Sequence, residues 1–389
     1  MTGVQVDSRR VSPGDLFVTV GGGDAYLDDA RSRGAAATLV PDDEHAALAG
    51  LGRAVRARSD ARVVGITGSV GKTSTKDILA ALLRTRLRTV AAEQGFNNEV
   101  GLPLTLCRVE PDTEVVVTEM AMRGPGQIRA LAEVARPHLG VITAIAPVHL
   151  ELLGSLEAIA RAKAELLEEL PAGAVAVLPE DTPVLEPFVP DGLDVRRFSP
   201  PDAEVRDGRT HVAWRGREVV FSFAARHQAT NAAAALEAAA ALGVEPPEEP
   251  VEVRFSRWRS QERELPGGGL LINDAWNANP VAVRAALAHL RDRAAGRRTV
   301  AILGDMGELG PDAPRYHEEI GREAEDIALV VGVGELARHY GPDEWVATAD
   351  DAIARVRELV RPGDAVLVKG SRSVGLERVA DALTGEGTS

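Results

Sequence analysis

The chain has 389 residues, enough for two or three domains, and its 45% hydrophobic and 26% charged residues are an ordinary soluble globular mixture. No apolar run approaches the ~20 residues that span a bilayer, which sets aside a membrane role. The formal net charge of -14, from 58 acidic against 44 basic residues, repels a polyanion and sets aside nucleic acid as a partner, while small phosphorylated ligands stay open.

The opening "MTGVQVDSRR" has no apolar h-region, and the single Cys107 cannot form an internal disulfide, so a cytoplasmic protein is expected. "DLFVTV" reads as a strand, "YLDDARSRGA" as a short helix ending at Gly34 and "AATLV" as another strand, giving a small α/β domain over 1–60. From 61 the pattern alternates. "RVVGIT", "TEVVVTEM", "HLGVITAI" and "GAVAVLP" are strands; "KTSTKDILAALLRTR", "GQIRALAEVARP" and "SLEAIARAKAELLEEL" are helices. Such alternation predicts a mostly parallel sheet covered by helices on both faces. Residues 195–223 read as an antiparallel insertion, and "QATNAAAALEAAAALG" as an Ala-rich helix closed by Gly243. The Pro- and Glu-rich "VEPPEEPVEV" marks a boundary near 245. Beyond it, strands at "GLLIND", "RTVAILG", "ALVVGVG" and "DAVLVKG" predict a Rossmann-like domain over 246–389. The expected fold class is therefore α/β in three domains, 1–60, 61–245 and 246–389, with the central one built like a P-loop ATPase.

The strand-to-helix turn "GITGSVGKTST" carries the first chemistry. A glycine-rich turn lets backbone N–H groups surround phosphate oxygens, and the helix N-terminus adds a favourable dipole. Gly68, Ser69, Val70, Gly71, Lys72, Thr73 and Ser74 form this loop, with Lys72 reaching the outer phosphates and Thr73 offering its hydroxyl to Mg²⁺. The first glycine of the usual G-x-x-x-x-G-K-[ST] pattern is absent, Ile66 standing nearest its place. Glu119 closes an apolar strand, where a metal-binding carboxylate beside such a loop usually sits. His149 also follows a strand. Asn97 and Asn98 offer uncharged hydrogen-bonding groups near the phosphates, and His227 and Asn231, four apart on a predicted helix, share one face.

The loop variant T-G-S-V-G-K-T resembles the Mur ligase family, which joins amino acids or peptides to a carboxylate by ATP-driven amide formation. "DSRRVSPGDLFV" (7–18), "FNNEVGLPLTL" (96–106), "EMAMRGPGQI" (119–128), "HLELLGSLEAIARAKAEL" (149–166), "HQATNAAAA" (227–235), "NDAWNANP" (273–280), "LGDMGELG" (303–310) and "VLVKGSR" (366–372) extend the resemblance over nearly the whole chain, in order. They point to the branch that adds D-alanyl-D-alanine to a UDP-muramoyl tripeptide in peptidoglycan precursor synthesis.

The resemblance implies that Thr73 and Glu119 hold one Mg²⁺, and that His149 and Lys163 hold a second. A cation cannot ligate a cation, so Lys163 would serve as a carbamate formed with CO₂, which needs a neutral amine. It implies Asn231 at the adenine end of ATP, Arg259 on the phosphates, Asp274 near the ribose, and Asn277 and Asn279 on the same wall. Where the family usually has Gly before the arginine, this chain has Trp258. Lys369 and Arg372 would suit the carboxylate of an incoming dipeptide, and Asp7, Ser8 and Arg9 belong to the scaffold of the UDP-sugar domain.

ATP, two Mg²⁺, a small-molecule carboxylate acceptor and an amino acid or dipeptide amine are thus the expected partners of a monomer. Water would destroy an acyl phosphate, so the catalytic parts are expected to close before chemistry. The family's G-E-x-x-D-G-H-D-F stretch is replaced here by the shorter "VTVGGGDAYLDDA". The alternative is thus a relative recruited to secondary metabolism, joining amino acids or small acids without a UDP-sugar. A nucleotide-binding partner protein without catalysis is disfavoured by intact Lys72, Thr73, Glu119, His149 and Lys163.

Overall fold

The computed structural model describes residues 2–147 and 153–385. The chain forms two compact units: Met1–Ile145, Ala160–Pro200 and Thr230–Glu252 in the first, Ala146–Ile159, Pro201–Ala229 and Val253–Ser389 in the second.

The first unit holds two parallel sheets. Val4–Gln5 (β1), Leu16–Val18 (β2) and Ala37–Leu39 (β3) form the smaller, in the order β1-β2-β3. Helices Leu27–Ser32 (α1) and Glu44–Arg56 (α2) accompany it. Leu16 and Val18 pack with Leu48 of α2 and with Leu104, so this sheet shares an apolar core with the helix Gly101–Leu106.

The larger sheet contains Arg62–Thr67 (β4), Thr89–Ala91 (β5), Val115–Glu119 (β6), Leu139–Ile142 (β7), Val175–Pro179 (β8) and Asp194–Phe198 (β9), all parallel, in the order β5-β6-β4-β7-β8-β9. The central strands are unbroken apolar runs because helices cover both faces. Those helices are Lys72–Arg84 (α3), Gly101–Leu106 (α4), Gln127–Ala135 (α5), Leu156–Glu168 (α6) and Ala229–Ala241 (α7). On α3, Ile78, Leu79, Leu82 and Leu83 recur at helical spacing and are fully buried.

Two expectations are corrected here. Asp194–Phe198 is not part of an antiparallel insertion; it is the edge strand of the parallel sheet, paired to β8. Its polar alternation reflects the solvent exposure of an edge. His227 does not lie on the Ala-rich helix: Arg226–Gln228 is a 3-10 turn, and α7 begins at Ala229.

The antiparallel part of the second unit is a meander of Ala203–Arg206 (β10), Arg209–Trp214 (β11) and Arg217–Phe221 (β12). Both of its two-residue turns, 207–208 and 215–216, are left-handed throughout, which matches the twist of the flanking strands. The rest is a six-stranded sheet of Gln261–Leu265 (β13), Gly269–Asn273 (β14), Thr299–Gly304 (β15), Leu329–Val333 (β16), Glu344–Val346 (β17) and Ala365–Lys369 (β18), in the order β13-β14-β18-β15-β16-β17. Only β13 runs antiparallel, as a hairpin partner of β14. Helices Pro280–Ala294 (α8), Ala313–Glu323 (α9), Ala349–Leu359 (α10) and Glu377–Thr384 (α11) complete it, and one apolar cluster forms on each face of the sheet. The four strand runs expected after residue 246 are all present.

Candidate active site

In the first unit, β4 emerges from the middle of the sheet, between β6 and β7, and its C-terminal end turns into α3. Ligands of open α/β sheets bind at this place. The backbone of the turn leaves no room for side chains. A Cβ at Gly68 (φ 148°) would lie 2.0 Å from Thr143 Oγ1, and one at Gly71 (φ 83°) would lie 2.2 Å from Asn231 Oδ1. Neighbours set the loop: Ser69 N donates to the Ala144 carbonyl at 2.8 Å, and Thr143 Oγ1 donates to the Val70 carbonyl at 2.6 Å. Helix α3 starts on Gly71, which has no side-chain acceptor for its first-turn N–H groups. Such an end receives an anion. Lys72 Nζ donates back to the Gly68 carbonyl at 2.8 Å, which keeps the ammonium over the loop. Asn231, from α7, accepts from Thr75 Oγ1 at 3.4 Å, so it stands at the first turn of α3.

Glu119, the last residue of β6, is buried, as is Thr73. Asn97 Nδ2 donates to Glu119 Oε1 at 2.9 Å and so orients the carboxylate. The adjacent Asn98 has a different role: its Oδ1 accepts from Gly101 N at 2.9 Å and Val100 N at 3.3 Å, capping α4. Lys163 is 1% exposed. Burial pushes its amine well below the ordinary lysine value, and the charge of Lys72 pushes the same way. Helix α6, which carries it, is anchored by Glu165, whose carboxylate accepts from Gly126 N at 2.6 Å and Arg129 N at 3.1 Å at the start of α5. His149 lies outside the described residues. In the small sheet region, Asp7 accepts from Arg9 at 2.9 and 2.8 Å and caps the 3-10 turn Ser8–Arg10, in which Ser8 is buried. The Arg9 hydrogen bond holds the Asp7 carboxyl below its usual value.

In the second unit, Asp274 follows β14. Its Oδ2 receives Lys369 Nζ at 2.5 Å, and its Oδ1 accepts from Ser260 N at 3.1 Å. Lys369 is 2% exposed and also donates to the Asn277 carbonyl at 2.9 Å. Burial pulls its amine down and the Asp274 carboxylate opposes that pull. The lysine expected to receive a substrate carboxylate is thus already paired. Asn279 caps α8 through Ala282 N at 2.9 Å, and Asn277 Oδ1 accepts from Ala278 N at 2.9 Å. Arg372 is exposed, pairs with Glu377 and lies over the Trp258 ring. Arg259 Cζ is 5.9 Å from the Trp276 ring centre. His227 and Asn231 do not act together: the His227 ring packs edge-on against His289 at 5.0 Å, with Ser260 Oγ 3.3 Å from its Nε2.

The His227–His289–Glu262 cluster left no signal in the sequence, because its members come from separate elements. Burial would raise the Glu262 carboxyl, but the His289 ring nitrogen 3.2 Å away and the hydrogen bonds from Arg293 bring it down to about 2. Burial, and then His289, pull His227 down to about 3, against the opposing charge of Asp274. The unfolded histidine binds a proton near pH 6.5 and the folded one does not, so stability is fully present above that pH and is lost as pH falls from 6.5 towards 3, by up to about 1.4 kcal/mol per unit. His227→Gln is expected to flatten the stability–pH slope between pH 6.5 and 4 in urea melts. Equal slopes in the two proteins would contradict the assignment.

Residues 66–239 match the Mur ligase middle domain, and residues 257–372 match the Mur ligase glutamate ligase domain. A relative from Mycobacterium bovis, named UDP-N-acetylmuramoyl-tripeptide–D-alanyl-D-alanine ligase, is 35% identical over 99% of this chain and 92% of its own length. The chain belongs to the Mur ligase family. The Bacillus subtilis relative of the same name is 31% identical over 98% and 93% of the two chains. The solved structure of MurF ligase from Thermotoga maritima in complex with ADP has a TM-score of 0.85 at 28% identity, covering 99% of this chain and 97% of that one. As a Mur ligase the protein is an ATP-dependent ligase, and ATP and Mg²⁺ are typical of the family. The M. bovis alignment runs over 484 positions against the 389 residues here, so it carries gaps on this chain's side.

Trp258 has φ 58°, a left-handed backbone that carries a bulky side chain. Among the described residues, no three His, Cys, Asp or Glu side chains are grouped to hold a metal, and no helix is long and apolar enough to cross a membrane. The donors that remain, the Thr73 hydroxyl and the buried Glu119 carboxylate, suit a hard, oxygen-seeking cation.

Proposed function

We propose that the protein joins the terminal carboxylate of UDP-N-acetylmuramoyl-tripeptide to the amine of D-alanyl-D-alanine, converting ATP to ADP and phosphate. The observation that carries this is an end-to-end likeness to ligases of that name in a chain that keeps the glycine turn, Lys72, Thr73 and Glu119.

Amide formation from a carboxylate in water is uphill, and a carboxylate is a poor electrophile. The backbone of Gly68–Ser74 binds the polyphosphate, Lys72 neutralises charge on the transferring group, and Arg259 adds a second cation to the phosphates. Asn231 serves the adenine end and Asp274, held by Lys369 and Ser260, the ribose. A substrate carboxylate oxygen displaces ADP from the γ-phosphorus, giving an acyl phosphate. The neutral amine adds to its carbonyl, and the tetrahedral intermediate expels phosphate. Thr73 and Glu119 would hold one Mg²⁺, and His149 with carbamylated Lys163 a second; these ions supply charge neutralisation for the transferring phosphoryl group. The carbamate forms when the neutral Lys163 amine adds CO₂ and releases a proton, and burial of that amine favours the neutral form. Arg372 takes the carboxylate of the dipeptide, while Asn97 keeps Glu119 in place.

This reading divides the chain into an acceptor domain (1–60), an ATP domain (61–245) and an amine-substrate domain (246–389). The same reading makes the active species a cytoplasmic monomer. Phosphate release measured with ATP, the UDP-linked tripeptide and D-alanyl-D-alanine together, and with each omitted, tests the proposal. Release is expected only from the complete mixture. The short segment at 18–30 favours one second reading, a ligase for an acceptor without the UDP-sugar. Release with small free acids, and none with the UDP-linked tripeptide, would replace the first reading with that one.

A further inference from the structure

The loop from Ser256 to Ser260 carries two non-glycine residues in left-handed backbone, Trp258 at φ 58° and Ser260 at φ 46°. A bulky side chain there is an outlier that persists only when the surroundings impose it, and such outliers gather at functional sites. Here the loop is tied down on both sides. Trp258 N donates to Gln261 Oε1 at 3.0 Å, Trp276 N donates to the Trp258 carbonyl at 3.3 Å, and Ser260 N donates to Asp274 Oδ1. The Trp258 indole stacks on Trp276, ring centres 5.9 Å apart and planes within 21°. The Arg372 guanidinium lies 4.6 Å from the Trp258 ring centre and 6.0 Å from that of Trp276, and Glu377 also pairs with it.

Arg372 is a long, half-exposed side chain whose many rotamers would ordinarily have to be frozen on binding. An indole face within 6 Å attracts a guanidinium and limits that freedom, without using the N–H groups that a carboxylate needs. We propose that Trp258, backed by Trp276, is a positioning residue for the amine subsite: it holds the Arg372 guanidinium flat so that the N–H groups not engaged by Glu377 stay available to the terminal carboxylate of the incoming amine substrate. This rests on the function proposed above.

The test compares D-alanyl-D-alanine with its C-terminal amide, which lacks the charge that Arg372 would read. Wild type is expected to favour the dipeptide strongly in kcat/KM. In Trp258→Gly, which suits the backbone but has no ring, KM for the dipeptide is expected to rise about five- to tenfold. The KM values for ATP and the UDP-linked acceptor and the kcat should stay within about twofold, and the preference over the amide should shrink by the same factor as the dipeptide KM rises. Trp258→Leu, bulky without a π face, should behave like Trp258→Gly, and Trp258→Phe should restore most of the preference. A packing role would lower all the kinetic parameters together and would not distinguish the amide. If wild type turns over the dipeptide and the preference is unchanged in Trp258→Gly and Trp258→Leu, the positioning role is wrong. If wild type turns over neither amine, the functional reading fails and takes this inference with it.

Discussion

Lys72→Ala is expected to lower turnover by roughly a thousand-fold while shifting the melting temperature by no more than about two degrees. Lys72 sits at the first position of α3 and is only partly buried, and its amine reaches over the loop to the Gly68 carbonyl. Little of the fold depends on it, but in the proposed mechanism the transferring phosphoryl group loses a cation. Lys76, one turn on, gives the control. It is buried, donates to the Ala92 carbonyl at 2.8 Å and pairs with Asp77 at 2.9 Å. Lys76→Ala removes the buried cation that links the partly buried Asp77 carboxylate to the Ala92 carbonyl, and is expected to destabilise the protein by about 2–4 kcal/mol. Retained activity in Lys72→Ala would remove the phosphate role of the loop.

Lys163→Ala should be equally damaging, on the order of a thousand-fold, but for a different reason and with a different signature. Burial and the charge of Lys72 push the pKa of the buried amine down, in the direction of the neutral form that reacts with CO₂. If the working group is the carbamate, the alanine variant has lost a carboxylate, and formate, acetate or propionate should restore part of the rate. The same acids should do nothing for Lys72→Ala, whose missing group is a cation. Lys163→Met, which fills the space without a polar atom, should melt at or above the wild-type temperature and stay inactive. Absence of rescue at saturating substrates, in a folded variant that still binds ATP, would argue against the carbamate.

The phosphate loop was legible because three local signals agree there: an apolar strand, a glycine turn and an amphipathic helix beginning at Lys72. The observed β4 and the start of α3 fall where the residues place them. Lys163 was legible only through the family resemblance, since a lysine on a helix ordinarily faces solvent, and its burial is decided by how α6 docks. Asp194–Phe198 was misjudged because an edge strand of a parallel sheet has one exposed margin and so mimics the alternation of an antiparallel ribbon. His227 was placed one turn too far into a helix because an alanine-rich run gives little amphipathic contrast to mark its start. The pairing of Lys369 with Asp274, 95 positions apart in the chain, is a consequence of β14 and β18 lying side by side, and no local pattern reports that. The same adjacency gives Lys369, expected to meet a substrate carboxylate, a carboxylate partner within its own domain.

Oxygen transfer from the acceptor tests the central claim, activation of a carboxylate by ATP, most directly. The terminal carboxylate of UDP-N-acetylmuramoyl-tripeptide would be labelled with ¹⁸O, turned over with ATP and D-alanyl-D-alanine, and the released phosphate analysed by mass spectrometry. An acyl phosphate leaves one carboxylate oxygen on phosphorus, so each phosphate should carry a single ¹⁸O. Unlabelled phosphate, or AMP and pyrophosphate in place of ADP and phosphate, would contradict the account.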